Sequence, residues 1–168
     1  MKKIFTTLCF IVFSILSTTA QDDTRIGGLI GYGSEIENLG FGINAEFPIA
    51  ENLTIAPSFI YFLPNEESSI LKTTIFEFNA NANYYFITDD TFGVYGLAGI
   101  NYTSVKVKVE DLGFGFGDAS SSDGKIGLNI GAGTNFNLGK SWMPFAELKY
   151  VLGDFDQLVL VAGIKFNI

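Results

Sequence analysis

The sequence has no histidine and a single cysteine, Cys9, among its 168 residues. Histidine is the usual base in acid–base chemistry near neutral pH, so its absence argues against most hydrolytic and acyl-transfer mechanisms. The remaining candidates are adjacent acids at 66–67 and 89–90, and such pairs in loops or turns are usually just solvated. We therefore predict that the protein is not an enzyme and uses no cofactor.

The sequence also lacks any run of 18 or more apolar residues, so no membrane-spanning helix is available. The first twenty residues carry Lys2 and Lys3, then an apolar run over 4–16, and they end in small residues at Ala20. This is the layout of a secretory signal peptide, with a buried N-terminal helix as the alternative. We predict a signal peptide at 1–20 and an exported domain at 21–168, which holds no cysteine because Cys9 leaves with the signal.

Basic residues are few, with ten Lys and Arg against eighteen Asp and Glu and a formal net charge of −8. Loss of Lys2 and Lys3 with the signal peptide would lower this charge to −10. A strongly acidic exported chain with no basic patch is a poor candidate for binding nucleic acid. We therefore predict no nucleic-acid partner.

Most of the mature chain alternates in residue character with a period of two, as a β-strand with two different faces does. In "FEFNANANYYF", residues 76–86, Phe and Ala dominate one row and Asn and Glu the other. The same pattern recurs at 39–49, 126–138 and 158–168, where Val159 and Val161 are exceptions in the polar row, and strands also fit 25–34, 53–63, 92–109 and 142–152. We predict eight strands and no helix.

The connections alternate in length. Those at 50–52, 87–91 and 139–141 are tight and carry the Asn, Asp and Gly of hairpin turns, whereas those at 34–38, 64–72, 110–124 and 153–156 are longer or more polar. This order predicts an all-β, eight-stranded antiparallel up-and-down transmembrane β-barrel with both termini on the short-turn side. We expect its long acidic outer loops to attract a diffuse atmosphere of divalent cations. No EF-hand spacing is present, so we predict no metal site.

The composition of the two rows indicates which one faces inward. A soluble eight-stranded barrel would turn its apolar row inward and present a charged row to water. Here the polar row is mainly Gly and Asn with one or two charges per strand, and the apolar row carries almost no charge. We therefore predict that the apolar row faces lipid and the Asn row lines the interior. A soluble ligand-binding barrel is an alternative, which we rank below a surface role and a narrow channel.

Residues 25–168 resemble small outer-membrane β-barrels of the OmpA or OmpX type, in the porin-like outer membrane protein beta-barrel domain family. The features that carry the resemblance are "NANYYFITDD" before the central turn, "VYGLAGINY" after it and the C-terminal "VLVAGIKFNI". The resemblance implies a monomeric barrel among the lipids of a bacterial outer membrane. It also implies that a C-terminal signal, Ile164, Phe166 and Ile168, is read by the barrel-insertion machinery, although the chain departs from the pattern by ending in Ile168 rather than an aromatic residue.

Alternation also predicts an interior charge network of three acids and three bases: Glu46, Glu77, Glu147, Lys125, Lys149 and Lys165. We expect Glu147 to pair with Lys165 on a neighbouring strand, with Lys149 beside them.

Pro57 cannot donate a ladder hydrogen bond, so it should mark a bulge or the end of the spanning part of the third strand.

A barrel of eight strands is just wide enough for its side chains to fill it. We therefore predict a structural or adhesion-like surface role with an extracellular protein or glycan partner, and a narrow channel for ions or very small solutes is the alternative.

The fifth strand, 92–109, exceeds the 9–11 residues that cross a bilayer, so its end should continue as strand above the membrane beside the start of the fourth. That sheet would offer an edge to a partner strand, or its lysines would blunt the edge against aggregation.

Overall fold

Eight antiparallel strands close into a barrel in chain order, with β1 paired to β8. The computed structural model describes residues 24–68, 71–109, 119–139 and 141–168, so the predicted signal peptide lies outside the described residues. The strands are β1 (Arg25–Gly33), β2 (Asn38–Ala50), β3 (Leu53–Ser68), β4 (Leu71–Thr88), β5 (Phe92–Val109), β6 (Ala119–Phe136), β7 (Trp142–Gly153) and β8 (Gln157–Asn167). The predicted fold class is confirmed. Among the described residues, no helix is long and apolar enough to cross a membrane.

The two rows of each strand face opposite environments. Large apolar side chains point outward and are exposed, as at Ile126 (70% exposed), Phe86 (67%) and Ile43 (64%). The interior contains ionisable side chains that are almost completely buried, including Glu77 (0% exposed) and Lys165 (1%). This is the reverse of a soluble barrel, and an outward apolar belt around a polar interior is the arrangement that a lipid environment stabilises.

Four neighbouring strands are longer than the rest. Strands β3 to β6 contain 16, 18, 18 and 18 residues, whereas β1, β2, β7 and β8 contain 9, 13, 12 and 11. The β5–β6 ladder continues to Val109 opposite Ala119, but the β6–β7 ladder stops at Gly127 opposite Gly153. We call residues 63–68, 71–75, 103–109 and 119–126 the outer extension.

The outer extension corrects the predicted long loops at 64–72 and 110–124. Strand β3 continues to Ser68, only residues 69–70 separate it from β4, and β6 begins at Ala119. The reason is that β3 and β6 flank the long β4–β5 hairpin, whose edges would otherwise expose unpaired backbone groups. The acidic Asp123 thus lies within a strand rather than a loop.

Pro57 is neither at a bulge nor at a strand end, contrary to the prediction. It lies inside β3, which pairs with β4 in one register from Leu53 to Phe62. On the other side, the β2–β3 ladder omits the pairs opposite Ala56 and Pro57 and resumes without a shift of register. The missing N–H therefore leaves a local gap in the β2–β3 ladder.

Candidate functional site

The interior contains a first charged cluster near the short-turn end, centred on Glu46 of β2. The Lys165 ammonium donates to Glu46 Oε2 at 2.8 Å, and Arg25 Nη1 lies 3.9 Å from the same oxygen. The hydroxyls of Thr54 (2.8 Å) and Tyr85 both donate to Glu46 Oε1. Because the Glu46 side chain is 1% exposed, its charge is stabilised by these partners in place of water.

A second charged cluster lies nearer the outer side, centred on Glu77 of β4. The Lys149 ammonium donates to Glu77 Oε2 at 3.0 Å and to Asn79 Oδ1 at 2.8 Å. Asn101 and Asn129 also donate to Asn79 Oδ1, each at 2.9 Å. The asparagines of the polar rows therefore line the interior and join the ion pair to β5 and β6.

The expected pairing of Glu147 with Lys165 is wrong. Lys165 bonds to Glu46, whereas Glu147 accepts a hydrogen bond from the Tyr95 hydroxyl at 2.6 Å. No lysine or arginine of the described chain lies within 4 Å of Glu147. The physical reason is that inward side chains reach across the lumen, so height along the barrel decides the partner more than strand adjacency does.

Lys125, the last of the six predicted interior charges, lies apart from both clusters. Its side chain is 34% exposed, and its Nζ is 3.9 Å from Asp123 Oδ2 at the outer end of β6. The structure thus combines Glu46 with Lys165 and Glu77 with Lys149, and leaves Glu147 and Lys125 outside these two pairs.

Several functional side chains of the interior were not predicted from the sequence. They are Arg25, Thr54, Tyr85, Tyr95, Asn135 and Gln157, all of which bond within the two clusters or to Glu147. Their position in the inward row was readable from the period of two. Which of them would touch was not readable, because contacts across the lumen depend on barrel closure and strand stagger.

Part of the interior is apolar. Val159 and Val161, the exceptions in the polar row of β8, are 0% and 2% exposed and belong to a buried apolar cluster. The cluster includes Ile36 from the β1–β2 link, and Phe155 from the β7–β8 link packs against it. An apolar cluster reached by both links fills the interior on their side of the barrel.

A small interior cavity borders both the second charged cluster, at Lys149, and the apolar cluster, at Val161. Its volume of about 10 Å³ is at the lower limit for holding one water molecule, and Asn44, Asn81 and Glu147 are among the residues that line it. The described residues contain no group of three or more His, Cys, Asp or Glu side chains that could hold a metal ion.

The predicted C-terminal signal lies on the face of β8 that points away from the barrel interior and includes Ile168, the residue after the strand. Ile164, Phe166 and Ile168 are 41%, 50% and 73% exposed. Strand β8 closes the barrel onto β1 from Arg25 opposite Asn167 to Gly33 opposite Val159. Recognition of these three side chains by the insertion machinery stays a prediction.

Comparisons with known proteins agree with this geometry. The model of the outer membrane protein beta-barrel domain family matches residues 9–166. A search of curated protein sequences gives no significant match.

Solved structures share the fold. Ail, the attachment invasion locus protein of Yersinia pestis, is 21% identical with a TM-score of 0.62 over 88% of this chain and 97% of Ail. The N-terminal β-barrel of Pseudomonas aeruginosa OprF is 16% identical with a TM-score of 0.66, over 88% of this chain and 100% of that domain. Neisserial surface protein A is 18% identical with a TM-score of 0.66, over 86% and 97%. One Ail structure is a complex with the heparin analogue sucrose octasulfate.

Proposed function

The chain belongs to the outer membrane protein beta-barrel domain family, and on that premise we propose that it uses its outer extension to bind a protein or glycan outside the cell. The barrel, in a bacterial outer membrane, would serve as the anchor for this surface. We further propose that the protein is not an enzyme and that it acts as a monomer.

The observation that carries the proposal is an edge of β6 that pairs with no other strand of the described chain. Residues 119–126 pair with β5 on one side, while the β6–β7 ladder begins only at Gly127. Residues 121–124 of this edge are exposed. An extended segment of a partner protein can add to such an edge through main-chain hydrogen bonds, with side chains supplying specificity.

The name of Ail, an attachment protein with the same fold, supports a surface-binding role, and its complex with a heparin analogue suggests a glycan to test. At 21% identity the likeness extends to the fold alone. Heparin therefore enters the experiment as one probe beside host-surface proteins.

A narrow channel for ions is the rival function, and the filled interior argues against it. The two charged clusters and the apolar cluster occupy the space that an aqueous route would need. Eight strands leave little room beyond their own side chains. Single-channel recording of the refolded protein separates the two functions, because the proposal predicts no steady conductance.

Removing the free edge should abolish surface binding while the barrel still inserts. The variant replaces residues 105–123 with Asn-Gly, a hairpin turn that joins the register partners Ser104 and Gly124. Cells that display the variant or the full chain are compared for binding to a panel of immobilised host-surface proteins and glycans, heparin among them. We expect the full chain to bind at least one of these probes and the variant to bind none.

The control carries Asp154→Asn and Asp156→Asn in the β7–β8 link, which is outside the extension, and should bind as the full chain does. Heat-dependent mobility on a denaturing gel checks that each barrel is folded. Equal binding by the full chain and the deletion variant would exclude the extension as the binding surface.

A further inference from the structure

On β4 and β5 of the outer extension, one row of positions contains lysine residues. Lys106 of β5 is exposed and is the register partner of Thr74 on β4 and of Ser122 on β6. Two positions closer to the outer end of the ladder, Lys72 is the register partner of Lys108. Because positions two apart share a face, these positions form one row across β4 to β6, which we call the lysine face.

The acids of these strands lie elsewhere. Asp123, next to Ser122, belongs to the opposite row, and Glu77 is in the barrel interior. In the row of the lysine face, the other described positions of β4 to β6 carry uncharged side chains, among them the hydroxyls of Thr74 and Ser122. Lys106 is therefore an exposed cation whose register partners on both sides, Thr74 and Ser122, carry hydroxyls.

The depth of Lys106 follows from the strand geometry. Phe92 to Tyr102 is the length that crosses a bilayer, and Tyr102 is exposed at the outer end of the apolar belt. The Lys106 ammonium leans back over the Phe76 ring, 5.2 Å from its centroid, and Phe76 is the register partner of Ser104. At roughly 2.5 Å of height per tilted residue, the ammonium is about 5 Å above Tyr102.

That height lies within the headgroup layer, which is about 5–8 Å thick on each side of the hydrocarbon core. An ammonium held there meets the phosphate groups of the surrounding lipids, and hydroxyls beside it can donate to the same oxygens. The aromatic ring beneath Lys106 holds the ammonium at this depth.

We propose that the lysine face binds the phosphate groups of lipid headgroups in the outer leaflet. The site is distinct from the β6 edge that would bind an extracellular partner, so either can fail without the other. Binding of these phosphates would fix the depth of the outer extension relative to the bilayer and hold its β-sheet close to the membrane surface.

Fluorescence quenching by brominated lipids tests the proposal. The reporter is Tyr102→Trp, next to the lysine face, in a Trp142→Phe background that removes the only natural tryptophan. The full mature chain is refolded into phosphatidylcholine vesicles that contain either brominated phosphatidylglycerol or brominated phosphatidylcholine as the quencher. The ratio of the two quenching efficiencies gives the local preference for the anionic headgroup.

We expect the reporter to show a clear preference for phosphatidylglycerol, and Lys106→Gln to reduce that preference about fivefold, the ratio expected for one lysine at a membrane surface. Lys106→Arg should retain the preference. Lys125→Gln, which removes a lysine of the opposite row in the same extension, should leave it unchanged.

Three results would overturn the proposal. They are equal quenching by both lipids with the reporter protein, the same loss in Lys125→Gln as in Lys106→Gln, and abolition of the preference by free inorganic phosphate. The second result would mean a diffuse charge effect, and the third a site for soluble anions. Heat-dependent mobility confirms that each variant is folded before it is measured.

Discussion

Replacing Lys165 with alanine should lower the free energy of unfolding of the refolded barrel by about 3–5 kcal/mol. The substitution leaves Glu46 with its nearest cation gone, and the remaining one, Arg25, is 3.9 Å away. The carboxylate is buried, so water cannot replace the lost 2.8 Å hydrogen bond without entering the interior. The ammonium also lies 4.3 Å from the centroid of the Phe145 ring, a contact that alanine removes as well.

Urea unfolding in lipid vesicles measures this loss, and Lys125→Ala is the matched control. The Lys125 side chain is 34% exposed and 3.9 Å from an exposed acid, so its removal should cost at most about 1 kcal/mol. A double variant, Glu46→Gln with Lys165→Met, should recover part of the loss because no unpaired charge remains buried. Unchanged stability of Lys165→Ala would refute the ion pair.

Gly42→Val should destabilise the barrel by about 3 kcal/mol or more and leave little heat-modifiable protein. A side chain at Gly42 of β2 would place its Cβ 2.0 Å from the Phe59 carbonyl oxygen and 3.0 Å from the Phe59 carbonyl carbon. These atoms are backbone of the neighbouring strand β3, so no rotamer change can relieve the overlap. The β2–β3 ladder would have to separate at this point.

Gly28→Val is the control, because a Cβ at Gly28 meets nothing within 4 Å and the residue lies on the outer face of β1. It should change the stability by no more than about 0.5 kcal/mol. Both variants are compared by the fraction that shifts in mobility between boiled and unboiled gel samples. A Gly42→Val barrel as stable as Gly28→Val would contradict the close approach of β2 and β3.

The period of two was sufficient to predict which residues face outward, because side-chain alternation is a local property of a strand. It could not predict that Lys165 pairs with Glu46, since that contact joins β8 to β2 across β1 and depends on barrel closure. Val159 and Val161 broke the polar row, and their burial in an apolar cluster became evident only when Ile36 and Phe62 were placed beside them.

Turn-like composition misled the prediction in the outer part of the chain. The stretch "ASSSDG" at 119–124 reads as loop by composition, yet it pairs with β5 as the start of β6. Pairing with a long neighbouring strand overrode local propensity, which is weak for exposed strand positions. Pro57 shows the converse, because β3 tolerates a proline at the cost of two ladder pairs with β2.

The most direct test of the central claim, that the apolar rows face lipid, is a nitroxide scan of residues 158–162. Residues 21–168 contain no cysteine, so a single cysteine can be introduced into this segment and spin-labelled at each position in turn. In lipid vesicles, the collision rate with oxygen, which dissolves in the bilayer, should peak at Leu158, Leu160 and Ala162. It should fall at Val159 and Val161, which face the interior. Oxygen maxima at the two valines, or easy access of a water-soluble nickel reagent to Leu160, would contradict a lipid-facing apolar row.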